Sequence, residues 1–233
     1  MTQLVVENLT FNYANGQIGN RVLKDTKFGG FRYSRTWIND FSYCFDFGKK
    51  YMLFGSEYHA SAAISWIIAG ILAQDSGTIM LNNAILLQDD LRNLSWYVIR
   101  DAIKQFGFVN KSVAWQVEQG LQKNPQLNYK VDKIRELFGL QKSRFYKRKL
   151  TQLSGVLWAA SLAIGFAHGK RIFCFPHISA NRLRQHDLFT MYGDLWLDDL
   201  LNFLTDNGAL ILIPTANEET KSRFDEIVYT YTP

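Results

Sequence analysis

Polar and apolar residues alternate in "TQLVVENLTFNY", a period of two that predicts a strand over residues 2–13. The rhythm is lost in a Gly-, Asn- and Arg-rich stretch, residues 14–40, which reads as an irregular insertion with a short strand at residues 22–24. Alternation returns in "FSYCFDF", a half-exposed strand. After a turn at Gly48 and Lys49 it gives way to the continuously apolar "YMLF", a buried strand. These two read together as an antiparallel hairpin feeding a central strand. An apolar helix is expected over residues 61–73, followed by "DSGTIMLNNAIL", where Asp75, Ser76 and Gly77 supply turn chemistry ahead of another strand. Residues 95–109 lead from a helix-like segment into the strand "FGFV", and residues 112–150 are polar, helical and rich in Lys and Arg. "LSGVLWAASLAIGFAHG" predicts a helix with Ser154 as N-cap and Gly169 closing it. "KRIFCF" and "ALILI" read as buried strands flanking an amphipathic helix at residues 187–206, and "DEIVYTY" as an edge strand. Buried strands alternating with helices predict an α/β fold with a largely parallel sheet covered on both faces.

Composition narrows the class. A chain of 233 residues with 47% hydrophobic and 15% aromatic residues buries a sizeable core and is not disordered. Charged residues make up 20%, a little low, which leaves apolar surface for a partner. The net charge of +5 is spread along the chain and gives little support to a nucleic-acid or anionic-membrane surface. Cys44 and Cys174 sit in apolar strand-like runs and read as small core residues in a reducing compartment. The amino-terminal alternation is not that of a signal peptide, and "SAAISWIIAGILA" is shorter than the roughly 20 residues that span a bilayer.

The joints between elements carry the candidate chemistry. A phosphate-binding loop G-x-x-x-x-G-K-[ST] after "YMLF" would keep Gly55 but meets Ala60, Ser61 and Ala62 where glycine, lysine and a hydroxyl residue belong. "DSGTIMLNN", "FGFVNK", "LTQLSGVL", "RIFCFPH" and "LILIPTANEE" then follow in order. With the opening "LVVENLTFNY", these joints resemble the nucleotide-binding domain of ABC transporters across the whole chain. The resemblance implies a P-loop NTPase-like ABC ATPase fold over residues 1–233, with a mainly parallel sheet core. It also implies an antiparallel β subdomain within residues 1–50, interrupted by the 14–40 insertion, and a helical subdomain at residues 112–150.

Laid onto that family, the chain departs where the chemistry sits. The loop lysine falls on Ser61 and the Mg²⁺-binding hydroxyl on Ala62, while Ala60 adds a Cβ and Glu57 a carboxylate to the loop. The Q-loop glutamine falls on Lys111, the Walker B aspartate on Pro176, the catalytic glutamate on His177 and the switch histidine on Ala216. The departures lead to the expectation that the chain is no enzyme and has no cofactor of its own, with ATP and Mg²⁺ on a partner subunit. No metal ligands are expected, and His59 and His186 are assigned no function. His177 reads as a turn residue. Tyr13 is either the aromatic that stacks on adenine or an ordinary strand-end residue. Ser154 and Gly155 either touch ATP held by a partner or, through Ser154, only cap a helix; Val156 and Leu157 crowd that face. Lys111 either meets a partner or faces water. "KSRFYKRK", residues 142–149, is either a solvated face or a nucleic-acid patch.

The resulting expectation is a catalytically inactive ABC-type subunit, peripheral on the cytoplasmic face of a bacterial membrane. It would pair with an active ABC ATPase subunit and with transmembrane transporter subunits, without nucleic acid. Contact with the membrane subunit is expected within residues 85–150, including Trp96, Trp115 and Lys111. The insertion, with Arg21, Arg32, Tyr33, Arg35 and Trp37, is a candidate partner-specific contact. The alternatives are a regulator that binds ATP weakly without hydrolysis, and a soluble scaffold or nucleic-acid-associated protein on the same fold.

Overall fold

The computed structural model describes residues 2–14, 35–55, 60–98, 111–153, 156–178 and 197–230. β1 (Gln3–Ala14), β2 (Arg35–Asp46), β4 (Ser76–Leu81) and β5 (Ala84–Ile85) form an antiparallel sheet in the order β2-β1-β4-β5. β3 (Lys50–Phe54), β6 (Ser95–Tyr97), β7 (Ile172–Cys174), β8 (Leu210–Thr215) and β9 (Glu226–Tyr229) form a second, parallel sheet in the order β6-β7-β8-β3-β9. The difference follows from the side chains. All of β8 is buried, as are Tyr51, Met52 and Leu53 of β3, which requires cover on both faces of a parallel sheet. In β1 the register shifts between Val6 and Leu9, with Asn8 at φ 49°. The bulge returns Leu9 and Phe11 to the face that already buries Leu4 and Val6.

Seven α-helices lie among the described residues: α1 (Ala60–Ile68), α2 (Gln88–Leu94), α3 (Val113–Lys123), α4 (Val131–Leu137), α5 (Lys142–Lys147), α6 (Leu157–Ala167) and α7 (Leu197–Asp206). Every residue of α1 is buried, because the helix shares one core with Leu4, Phe45, Leu53 and Leu212 of the two sheets. A helix apolar all round has no solvent face to offer. α6 is nearly as buried, in a second core with α3, α4, α5 and α7. The two sheets are also joined at their edges. Lys49 Nζ lies 2.8 Å from Asp46 and 2.6 Å from Glu226, which accepts a 2.7 Å hydrogen bond from the Tyr43 hydroxyl.

Several elements differ from the expectations. β2 begins at Arg35, inside the stretch read as irregular. β2 and β3 are not a hairpin but belong to separate sheets, because Gly48, at φ 86°, turns the chain and its N–H donates to Ala209 beside β8. α1 stops at Ile68 rather than reaching residue 73. Gly70 follows in a left-handed conformation, and a Cβ there would lie 2.6 Å from Arg92. Residues 95–97 are strand β6, not helix; Ser95, Trp96 and Tyr97 are all buried although β6 pairs only with β7 among the described strands, so both its faces are covered. The N-cap of α6 is Val156, not Ser154, while Gly169 closes the helix with φ 68° as expected. β4 and β5 form a hairpin whose Asn82 and Asn83 both take positive φ, as a type I′ turn demands. Cys174 is buried, but Cys44 is exposed, because the pleat turns Phe45 and Phe47 inward and position 44 outward. Trp96 is buried in the core and is no surface contact. Residues 22–24, 106–109 and most of the 14–40 insertion, with Arg21, Arg32 and Tyr33, lie outside the described residues, as do the side chains of Arg35 and Trp37.

Candidate functional site

The parallel register carries the C-terminal ends of β3, β7 and β8 to one edge of the sheet, the edge where open α/β sheets take ligands. Gly55 stands at the end of β3. Its N–H donates to the Thr215 carbonyl at 3.2 Å, and its own carbonyl faces His177 Nε2 at 3.0 Å. A carbonyl can only accept, so Nε2 carries the proton. Glycine is required by the close approach of its neighbours: a Cβ would sit 2.6 Å from Thr230 Oγ1 and 3.2 Å from Ser61 Oγ. The first turn of α1 faces this point. Ala60, Ser61 and Ala62 are buried, and Ser61 Oγ has no hydrogen-bond partner among the described residues.

The segment after β7 is tied down on both sides. The Phe175 N–H donates to Leu212 and the Ile178 N–H to Pro214, while the Phe175 carbonyl accepts from Ser65 Oγ of α1 at 2.7 Å. Thr215 Oγ1 donates to the Ile178 carbonyl at 2.9 Å and accepts from the Asn217 N–H. Pro176, His177 and Ala216 are thus brought to the same edge as Gly55 and Ser61. Beside them a groove of about 730 Å³ runs between β2 and β9, lined by Asn12, Ile38, Asp40, Tyr43, Ala60 and Thr230 among others. It borders the mouth of α1 on one side and the end of β1 on the other.

Lys111 is not shown at this edge: it is exposed, with Nζ 5.4 Å from the centre of the Trp115 ring. The backbone of Tyr13 pairs with Thr36, and its side chain lies outside the described residues. Ser154, Gly155, Glu57, His59 and His186 also lie outside them. In "KSRFYKRK", Phe145 is buried in the core of the helical layer and Tyr146 is 39% exposed, so the aromatics do not share one stacking face. Sequence reasoning missed the His177–Gly55 contact and the orphaned Ser61 hydroxyl. The first joins residues 122 positions apart and leaves no local signal. Among the described residues no group of three or more His, Cys, Asp or Glu could hold a metal ion, and no helix is long and apolar enough to cross a membrane.

No family model matches the chain, and no curated protein sequence matches it. Solved structures do. CbiO1 from Clostridium perfringens, part of the ABC transporter complex cbiONQ, is similar with a TM-score of 0.64 and 17% identity, covering 97% of this chain and 83% of its own. The ATP-binding cassette MJ0796, as a dimer in a post-hydrolysis state bound to ADP and Pi, has a TM-score of 0.61 and 14% identity, covering 97% and 94%. A bacterial Atm1-family ABC exporter with ATP bound has a TM-score of 0.62 and 13% identity, covering 98% of this chain and 37% of the exporter. The chain therefore has the ABC ATPase cassette fold, with its parallel sheet and antiparallel β subdomain. The expectations of a non-enzyme and of no cofactor are corrected by the same structures. Cassettes of this fold are solved with ATP, and with ADP and Pi after hydrolysis, so substitutions at single positions do not establish inactivity or exclude a nucleotide.

Proposed function

We propose that the chain is the cassette subunit of an ABC-type membrane transporter, that it binds nucleotide at the mouth of α1, and that it works beside a second cassette and separate membrane-spanning subunits. The observation that carries the reading is the strand-end edge itself. Gly55 is packed so tightly that it has no room for a side chain, and a helix N-terminus opens onto it with a buried hydroxyl at Ser61 that has no hydrogen-bond partner among the described residues. The first N–H groups of a helix lack intrahelical acceptors and favour anions, and a phosphate oxygen is an acceptor that the Ser61 hydroxyl would satisfy. The neighbouring groove offers amide and carboxylate groups beside apolar Ile38 and Val228, a lining suited to a nucleoside. Ala62 and Pro176 bring no side-chain oxygen to the positions from which the resemblance has a cation held, so the phosphate contacts proposed here are those of the chain's own N–H and hydroxyl groups.

The partner reading draws on surface chemistry. Ile85 and Leu87 are 62% and 70% exposed within residues 85–150, and the Lys111–Trp115 pair lies in the same stretch. These residues are proposed to meet a membrane-spanning subunit, which places the chain peripherally at a membrane. Ser154 and Gly155 are proposed to face nucleotide held by the second cassette. Fluorescence titration of the purified protein with Mg-ATP, competed with ADP and with adenosine, tests the nucleotide reading. The expected result is competition by ADP and none at equal concentration by adenosine. Equal competition by adenosine, or no binding at millimolar Mg-ATP, would remove the phosphate site.

A further inference from the structure

We propose that His177 is a positioning residue for the entrance of α1, its Nε2–H holding the Gly55 carbonyl so that the first turn of the helix is preset for a phosphate. The inference rests on the nucleotide reading above. The geometry has three parts. The 3.0 Å contact between His177 Nε2 and the Gly55 carbonyl has one polarity, since the carbonyl cannot donate. The imidazole is mounted on a fixed segment, because Phe175 and Ile178 on either side are bonded through their backbones to β8. Phe175 also holds α1 one turn further along, through Ser65 Oγ. The segment after β7 therefore holds the end of β3 through Gly55, which packs against Ser61 of the first turn of α1, and holds the body of α1 through Ser65.

The remaining freedom at Gly55 is small. Its N–H is committed to Thr215, and Thr230 and Ser61 close the space a side chain would use. With no Cβ, glycine would otherwise populate several backbone conformations, and the carbonyl bond to His177 selects one of them. A preset entrance saves a ligand the cost of ordering it, which appears as affinity. A single hydrogen bond of this kind corresponds to roughly three- to tenfold in Kd.

The test compares wild type with His177→Gln, which keeps a donor near the Nε2 position, and His177→Leu, which keeps bulk without a donor. Mg-ATP affinity is measured on the full chain as isolated, alongside the melting temperature. The expected result is roughly three- to tenfold weaker binding in His177→Leu and near wild-type binding in His177→Gln. Unchanged affinity in His177→Leu, or equal loss in both variants, would overturn the positioning role while leaving nucleotide binding intact. If wild type itself binds no Mg-ATP, the reading of the site falls, and this role with it. Should His177→Leu not fold, ¹⁵N-histidine spectra of the wild type decide: a proton on Nε2 is expected, and a neutral ring protonated only on Nδ1 would overturn the contact.

Discussion

Ser61→Ala separates a buried hydroxyl that awaits a ligand from one that is merely structural. The residue is fully buried in the first turn of α1, and its Oγ has no hydrogen-bond partner among the described residues. A buried polar group without a partner costs about 1–3 kcal/mol. Alanine is also the better helix former, by a few tenths of a kcal/mol, so roughly 0.5 at most. Removing the oxygen leaves Cβ in place and opens only a small gap beside Gly55 and Thr230. The nucleotide-free protein should therefore gain at least about 1 kcal/mol, or roughly 2–4 °C in melting temperature for a chain of this size. Mg-ATP should bind the variant roughly ten- to a hundredfold more weakly, since a hydrogen bond to a charged acceptor is worth about 1.5–3 kcal/mol. Differential scanning calorimetry with and without Mg-ATP reads both effects. A lower melting temperature in the nucleotide-free variant would show that the hydroxyl already has a partner, and unchanged nucleotide affinity would remove it from the site.

Three further perturbations test the scaffold around the site. Gly165→Ala places a Cβ 2.7 Å from the Trp96 ring and 2.8 Å from Phe173, so it should cost about 1–3 kcal/mol by overpacking; chemical denaturation followed by Trp fluorescence measures the loss. His168, stacked on Trp96 with Nε2 donating to the Gln116 carbonyl, is pushed down to about 4 by burial. The fold holds it neutral, so stability is full above the ordinary histidine pKa near 6.5 and declines as pH falls from there towards about 4; His168→Gln should flatten that decline in urea titrations. Glu226 is held below its ordinary range by Lys49 and then by the Tyr43 hydroxyl, a contribution present above that range and lost as pH falls through the lowered value. Glu226→Gln should lower the melting temperature slightly at neutral pH, with the difference vanishing in acid. A constant difference across pH would assign the effect to packing.

The parts of the fold that were legible are those with long, clean patterns. β1 shows its period of two, and β3 and β8 their unbroken apolar runs; the polar, Lys- and Arg-rich stretch of residues 112–150, read as helical, holds the helices at 113–123, 131–137 and 142–147. What was not legible depends on partners distant in the chain. The division of β2 and β3 into different sheets is decided by β8 and β9, far along the chain from Gly48, and β6 is too short at three residues for any period to register. At the site, the order of the joints located Gly55, Ser61, Pro176, His177 and Ala216 on neighbouring strand ends, because parallel strands carry successive joints to one edge. The substitutions at those positions led to the expectation of an inactive chain without nucleotide, which does not stand beside the nucleotide-bound cassettes of the same fold. Residue identity alone showed neither the proton that His177 directs at Gly55 nor that the Ser61 hydroxyl has no partner among the described residues.

The central proposal is that this chain serves as a transporter cassette, and purification of the tagged chain from its native membranes in mild detergent tests it most directly. The account predicts a stoichiometric complex containing a membrane-spanning chain and a second cassette, weakened by Lys111→Glu combined with Trp115→Ala. Recovery of the chain alone, or of a complex without any membrane-spanning subunit, would contradict it.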